Sequence, residues 1–222
     1  FFSEFDEARH VIRGRLEIPR HWTRFRALDW GSAAPFSVGW YAVSDGTMAP
    51  FPRDALIKFQ DWYGWNGKPN VGLKMPASSV AQGIVRRDGD MKIALGVADP
   101  SIFANNGGPS IAEMMIIEKC QWIRGDNARQ AGWEQMRKRL AALDPLLYFH
   151  ESCEATIRTL PYLQHDEKNS EDLDTDAEDH AADETRYAVM SRPMTRLLQS
   201  SSTRLDLTNA RSMPTINELI KR

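Results

Sequence analysis

The chain has 222 residues, 42% hydrophobic and 26% charged, a composition that suits a globular core and excludes a fibrous, disulfide-scaffolded or wholly disordered chain. No apolar run approaches the roughly 20 residues that span a bilayer, and Phe1-Phe2-Ser3-Glu4-Phe5-Asp6 carries neither the basic start nor the cleavage site of a signal peptide. Lys and Arg number 28 against 30 Asp and Glu, a formal charge of −2, which excludes a bulk polycation but not local basic clusters, because the acids concentrate between residues 166 and 179.

Residues up to about Arg20 read as a lead-in with a short helix over 4–12. Phe25, Ala27 and Asp29 alternate with Arg26 and Leu28, a strand pattern that Gly31 and Pro35 break. Residues 36–43, rich in β-branched and aromatic side chains, predict a second strand. After a turn at Ser44-Asp45-Gly46-Thr47, residues 56–63 predict a third, so the three form an antiparallel meander. Ser78 and Ser79 are the expected N-caps of a helix that reaches Arg87 and stops at Asp88-Gly89-Asp90. Residues 91–99 are the clearest buried strand. Ile93, Leu95, Val97 and Asp99 are assigned to one face, and Ala94, Gly96 and Ala98 to the other, small enough for a helix to pack closely. Returning after a helix, this strand is expected to run parallel to the first.

A flexible loop at Asn105-Asn106-Gly107-Gly108-Pro109 precedes a capping box, Ser110-Ile111-Ala112-Glu113. An amphipathic helix follows over 127–143 with Ala131, Met136 and Leu140 inward, then a fifth strand over 146–149 and a helix over 153–163 up to the Pro161 region. A second capping box, Thr175-Asp176-Ala177-Glu178, opens a helix limited by Pro193. Cys120 and Cys153 lack zinc spacing and are expected as buried or half-buried thiols. The pattern describes an α/β fold, a mixed five-stranded sheet flanked by helices. The expected domain is 1–198, with a peripheral tail over 199–222.

Asp29 ends the first strand and Asp99 the central one. As neighbours in a sheet their carboxylates emerge at one edge, where ligand sites form in folds with helical crossovers. Asp179, His180 and Asp183 share a helical face, and Asp183 is placed to complete an oxygen-rich site. Such a site suits Mg²⁺ or Mn²⁺ rather than zinc. Two such ions about 3.5–4 Å apart are the recurring device for in-line displacement at phosphorus. Each acid also has a plainer reading: Asp29 as a strand-end turn residue, Asp99 as a turn initiator before Pro100, Asp183 as a partner of Arg186 on its own helix.

Ala27-Leu28-Asp29-Trp30-Gly31, Gly96-Val97-Ala98-Asp99-Pro100-Ser101 and Asp179-His180-Ala181-Ala182-Asp183-Glu184-Thr185-Arg186-Tyr187 together resemble the nuclease domain of the large terminase subunit of tailed bacteriophages, over residues 1–194. The resemblance implies an RNase H-like fold and metal-dependent endonucleolytic cleavage of double-stranded concatemeric viral DNA during genome packaging. It implies two Mg²⁺ or Mn²⁺ ions with Asp29, Asp99 and Asp183 as ligands and catalytic groups. His180 is implied as a catalytic neighbour, and Asp179 as a further support for metal or water. Glu184-Thr185 departs from the family pattern, where smaller residues are commoner, and Glu184 is not counted as a ligand. The implied partners are an N-terminal ATPase domain, the portal protein and the small terminase subunit, in the cytoplasm of an infected bacterium. No Walker A motif is present: Gly64-Trp65-Asn66-Gly67-Lys68-Pro69 has short spacing and a proline where Ser or Thr should stand. The chain is thus expected to be the C-terminal part of something longer, with an abrupt start at Phe1.

Arg86, Arg87 and Lys92, and separately Arg137-Lys138-Arg139, are the visible basic clusters for phosphate contact. Asp166, Glu167, Glu171, Asp172, Asp174 and Asp176 read as a solvated loop. Trp30 and Trp40 are expected in the core, and core packing is also preferred for Trp62 and Trp65. A Holliday-junction resolvase of the same fold and an inactive module docking on portal or motor are the competing functions. Asp183→Ala is expected to abolish cutting without unfolding the domain.

Overall fold

A computed structural model describes residues 1–105, 107–174 and 177–192. In chain order the elements are α1 (Glu7–His10), β1 (Val11–Ile12), β2 (Thr23–Asp29), β3 (Ser37–Val43), β4 (Leu56–Tyr63), α2 (Ala77–Asp88), β5 (Ile93–Ala98), a 3-10 turn Pro100–Phe103, α3 (Ile111–Ile117), β6 (Ile123–Arg124), α4 (Arg129–Ala141), β7 (Leu147–His150), α5 (Glu154–Thr159) running into a 3-10 turn Leu160–Tyr162, and α6 (His180–Met190).

The strands form one seven-stranded sheet in the order β1-β7-β4-β3-β2-β5-β6. Strands β2, β3 and β4 pair antiparallel as the expected meander, and β5 lies parallel beside β2. The five expected strands are all present. The two additional ones, β1 and β6, are two-residue edge strands, too short for alternation to show in sequence. Period-2 patterning explains the two-sided core. Phe25, Ala27, Tyr41, Leu56 and Val97 pack with Trp133, Met136 and Leu140 of α4 and with Ala182, Tyr187 and Val189 of α6. Leu28, Val38, Trp40 and Ala98 turn the other way, onto Val80, Ala81 and Ile84 of α2 and Met115 of α3.

Local chemistry accounts for most departures. The helix expected over 4–12 is a single turn capped by Asp6, after which Val11 and Ile12 leave to pair with β7. Helix α2 has Pro76 at its N-cap, so Ser78 and Ser79 lie inside the helix rather than capping it. Proline tolerates that entry because its missing N–H would be unsatisfied there anyway. The Ser110–Glu113 capping box forms as expected. Ile93 and Leu95 pair with consecutive residues Arg24 and Phe25, leaving Ala94 as a bulge. The bulge flips Ile93 onto the α2 side while Leu95 packs toward α6, breaking the expected one-face set. Gly96 does make room for a neighbour, but that neighbour is the Gln121-Trp122 segment leading into β6 and not a helix. In α4 the inward residues are Gly132, Trp133, Met136, Arg139 and Leu140, whereas Ala131 is exposed.

Trp40 is fully buried and Trp30 half-buried against Phe36. Both cysteines are buried free thiols. Helix α6 begins at His180 with Asp179 at its N-cap. The Thr175–Asp176 half of the expected capping box, the stop at Pro193, the domain limit at 198 and the tail over 199–222 lie outside the described residues, as does Asn106 of the glycine-rich loop. Among the described residues no helix is long and apolar enough to cross a membrane.

Candidate active site

Strands β2 and β5 run parallel and adjacent with Leu28 opposite Ala98. The next residues, Asp29 and Asp99, therefore leave the sheet side by side, and the Asp99 N–H donates to the Leu28 carbonyl at 2.9 Å. Asp29 follows the parity of Phe25 and Ala27, so its side chain rises on the face covered by α6. There His180, in the first turn of α6, places Nδ1 3.2 Å from Asp29 Oδ2. One turn further, Asp183 follows on the same helical side, its N–H donating to the Asp179 carbonyl at 2.9 Å. The elements thus bring Asp29, Asp99, Asp179, His180 and Asp183 to one sheet edge, as the sequence reading required.

Each acid is held by a donor of the chain itself. Asp99 accepts from the Ser101 N–H at 2.9 Å and from its hydroxyl, and the Tyr187 hydroxyl donates to it at 3.4 Å. Tyr187 reaches that position over Gly125, where a Cβ would come within 2.7 Å of the tyrosine ring. Asp183 accepts from Arg186 Nε at 2.7 Å and Arg129 Nη1 at 3.3 Å. The pairing of Asp183 with Arg186 offered as its plainer reading is therefore real, and it coexists with convergence on Asp29 and Asp99. Glu184 points to the other side of α6, into a fully buried ion pair with Lys58, in keeping with its exclusion as a ligand.

Burial pushes the Asp29 carboxyl up to about 7. The His180 hydrogen bond works against that shift, and the charges of Asp183 and Asp99 add to it. Burial, with repulsion from Asp183, likewise pushes Asp179 up to about 6. Burial disfavours the His180 imidazolium, but Asp29, Asp179 and Asp183 outweigh it and hold the ring above its ordinary range. All three groups bind protons more tightly when folded. The stability contributed by the two acids is complete below the unfolded carboxylate range of about 4 and is lost as pH rises toward about 7; that of His180 is lost above about 6.5. Carboxylates held low by hydrogen bonds, such as Glu178, are ionised in both states above about pH 5 and do not oppose the trend. The melting temperature in EDTA should therefore fall between about pH 5 and pH 8. A melting temperature that rises over that interval in differential scanning calorimetry would contradict the arrangement.

The donor set is all carboxylate oxygen with a histidine at its margin, the chemistry that suits a hard divalent cation. A bound cation would offset both the burial of the Asp29 charge and its repulsion by Asp183 and Asp99. Among the described residues, however, no three Asp, Glu, His or Cys side chains stand close enough together to form a ready ligand cluster. Arg129, Arg186, His180 and Ser101 hold the acids individually. The residues fit a divalent ion in kind, and assembling them around one needs side-chain adjustment.

Two expectations are not brought to the acids. Arg86 and Arg87 belong to the last turn of α2, on the opposite face of the sheet, where the Arg87 guanidinium lies 3.9 Å from the Trp62 ring centre. Lys92 precedes β5, and Asp99 follows it. At about 3.3 Å per residue that separates them by roughly 20 Å. In the other basic cluster Arg139 is fully buried, its guanidinium bonded to the Asp54, Leu146 and Arg192 carbonyls. Trp62 and Trp65 are half-buried under Arg87 and Arg158. Asp172 of the acidic run is not merely solvated: it accepts from Arg129 Nε at 3.1 Å and Trp133 Nε1 at 2.9 Å. Arg129 is the main site residue the sequence did not single out, since an arginine at a helix start has no distinguishing pattern. Arg124 is another: it ends β6 on the Asp99 edge, is exposed, and donates to the Pro100 carbonyl at 3.3 Å.

No family model matches the sequence, and no curated protein matches it by sequence. Solved structures do share its fold. The chain is similar to the large terminase of the thermophilic bacteriophage D6E, with 17% identity and a TM-score of 0.68, over 86% of this chain and 44% of that one. The ADP complex of that protein gives 18% identity, a TM-score of 0.68, and 85% and 43% coverage. The P22 large terminase nuclease domain gives 17% identity and a TM-score of 0.66, over 89% of this chain and 96% of that domain. The chain spans less than half the length of the D6E protein and nearly all of the P22 domain. The RNase H-like architecture of a terminase nuclease domain, expected from the motifs, is the fold observed.

Proposed function

We propose that this chain is an endonuclease of the terminase large-subunit type, hydrolysing phosphodiesters of double-stranded DNA with Mg²⁺ or Mn²⁺ held by Asp29, Asp99 and Asp183. The observation that carries the reading is the delivery of Asp29 and Asp99 from adjacent parallel strands to the edge where α6 presents Asp183. The likeness to the P22 nuclease domain along nearly its whole length supports it. What a divalent cation supplies when bound by such carboxylates is positive charge against the phosphate and a more acidic attacking water, and a pair of ions supplies it to the entering and leaving oxygens alike.

The chain's own residues hold the carboxylates in place. Ser101 and Tyr187 orient Asp99, Arg186 orients Asp183, and His180 orients Asp29, where it is also placed to exchange a proton with a nearby water. Arg124, exposed on the same edge, is a phosphate contact beside the acids, with Arg86, Arg87 and Lys92 as contacts further along the DNA. In a longer protein, the same reading calls for an ATPase domain before this one, portal and small-subunit partners, concatemeric viral DNA as substrate and the infected bacterial cytoplasm as the setting.

The purified chain, incubated with supercoiled plasmid and MnCl₂, should yield nicked and linear products that EDTA suppresses. Activity confined to four-way junctions would replace this reading with a resolvase. Inertness toward both substrates, with no Mn²⁺ binding, would replace it with a docking module.

A further inference from the structure

Arg129 opens α4, yet the start of a helix is where the macrodipole disfavours a cation. It is held there by acids from two other parts of the chain. Its Nε lies 3.1 Å from Asp172, Nη1 3.3 Å from Asp183 and Nη2 3.5 Å from Asp179. The last contact is an ion pair without hydrogen-bond geometry, and Nη2 is buried with no hydrogen-bond partner. Burial works against the guanidinium charge, and the three acids more than offset it. One monovalent side chain thus bridges two site acids and the segment that precedes α6. That segment is fastened on the same side by Trp133 bonding Asp172 and by the buried Leu173. Arg186 is different. It is 1% exposed, stacks over Trp133 and Tyr187 and has no route outward, whereas the Arg129 side chain is 29% exposed.

We infer that Arg129 is an exchangeable internal cation: it competes with a divalent ion for Asp179 and Asp183, and its withdrawal on metal loading breaks its ion pair with Asp172, which the Trp133 bond and the buried Leu173 continue to hold. The inference rests on the metal-dependent reading above. Two positive groups within bonding distance of the same carboxylates repel each other strongly at this degree of burial. Metal binding and the Arg129–Asp172 tether therefore oppose one another, and by linkage each weakens the other by the same factor. The device would couple the partners of Asp172 to the loading state of the site.

Calorimetric titration with MnCl₂ at constant pH tests the competition. Arg129→Gln should bind Mn²⁺ about tenfold or more tighter than the unaltered chain, about 1.4 kcal/mol. Equal or weaker affinity overturns the inference while leaving the metal reading intact. Absence of Mn²⁺ binding in both proteins overturns the metal reading and the inference with it. Hydrogen exchange on the unaltered chain supplies a test that needs no variant. Saturating Mg²⁺, read by NMR, should speed solvent exchange of the Arg129 Nε–H, which donates to Asp172 at 3.1 Å. Unchanged protection there, with Mg²⁺ bound, overturns the withdrawal of Arg129 and the inference with it.

Discussion

Asp183→Asn should lower the rate of Mn²⁺-dependent plasmid cleavage on the order of 10³-fold or more, about 4 kcal/mol of barrier at 1.36 kcal/mol per tenfold, while the domain stays folded. The substitution removes one carboxylate charge from the site but keeps an oxygen that can accept from Arg186 Nε, now at 2.7 Å from Asp183. Alanine, expected from sequence to be a clean knockout, is the poorer choice. Arg186 is 1% exposed; both variants remove its counter-charge, but alanine also strips the acceptor from Nε, adding the cost of a buried unsatisfied donor, about 1–3 kcal/mol. Loss of activity in Asp183→Ala would then mix chemistry with unfolding. Cleavage by Asp183→Asn at the rate of the unaltered chain, with a cooperative melt in both, would remove Asp183 from the mechanism.

Lys58→Met should destabilise the domain by about 3–5 kcal/mol in urea denaturation. Lys58 on β4 and Glu184 on α6 are both fully buried and ion-paired, and Lys58 Nζ also donates to Thr156 Oγ1 at 2.7 Å. Burial pushes the Glu184 carboxyl up, to about 7, against the pull of Lys58. The pair fits because Gly39 leaves the space: a Cβ there would lie 2.4 Å from Glu184 Oε1. Removing the lysine alone leaves a carboxylate buried with one oxygen already unpartnered. The double variant Lys58→Met, Glu184→Leu should recover most of the loss or exceed the starting stability, because apolar replacement avoids desolvating both charges. A single variant costing less than about 1 kcal/mol would show that the pair does not hold α6 to the sheet.

Several elements were legible residue by residue. β4 spans Leu56–Tyr63 as expected, and the Ser110–Glu113 box caps α3 as expected. Both rest on short-range rules, β propensity and reciprocal capping, that need no knowledge of the rest of the chain. Failures came where a distant group decided the outcome. Arg139 sits inward on α4 because backbone carbonyls outside the helix, at Asp54, Leu146 and Arg192, accept from it, and hydrophobic periodicity cannot register such a residue. Ile93 changed faces because a bulge against β2 shifted its register.

The sequence by itself determined the order of the five longer strands and their helices, the α/β class and the acids Asp29, Asp99 and Asp183 as the residues to test. The order and class follow from periodicity, which is local; the three acids follow from their place at strand ends and on a helix face together with the motifs that resemble the terminase nuclease. Only the tertiary structure decided that β2 and β5 are neighbours in register, so that Asp29 and Asp99 leave the sheet together. It alone placed His180 on Asp29, Tyr187 on Asp99, and both Arg129 and Arg186 on Asp183. Those partners lie 54 to 151 positions apart except for Arg186. A contact over such a span is set by how the helices pack on the sheet, and no property of the local sequence encodes it.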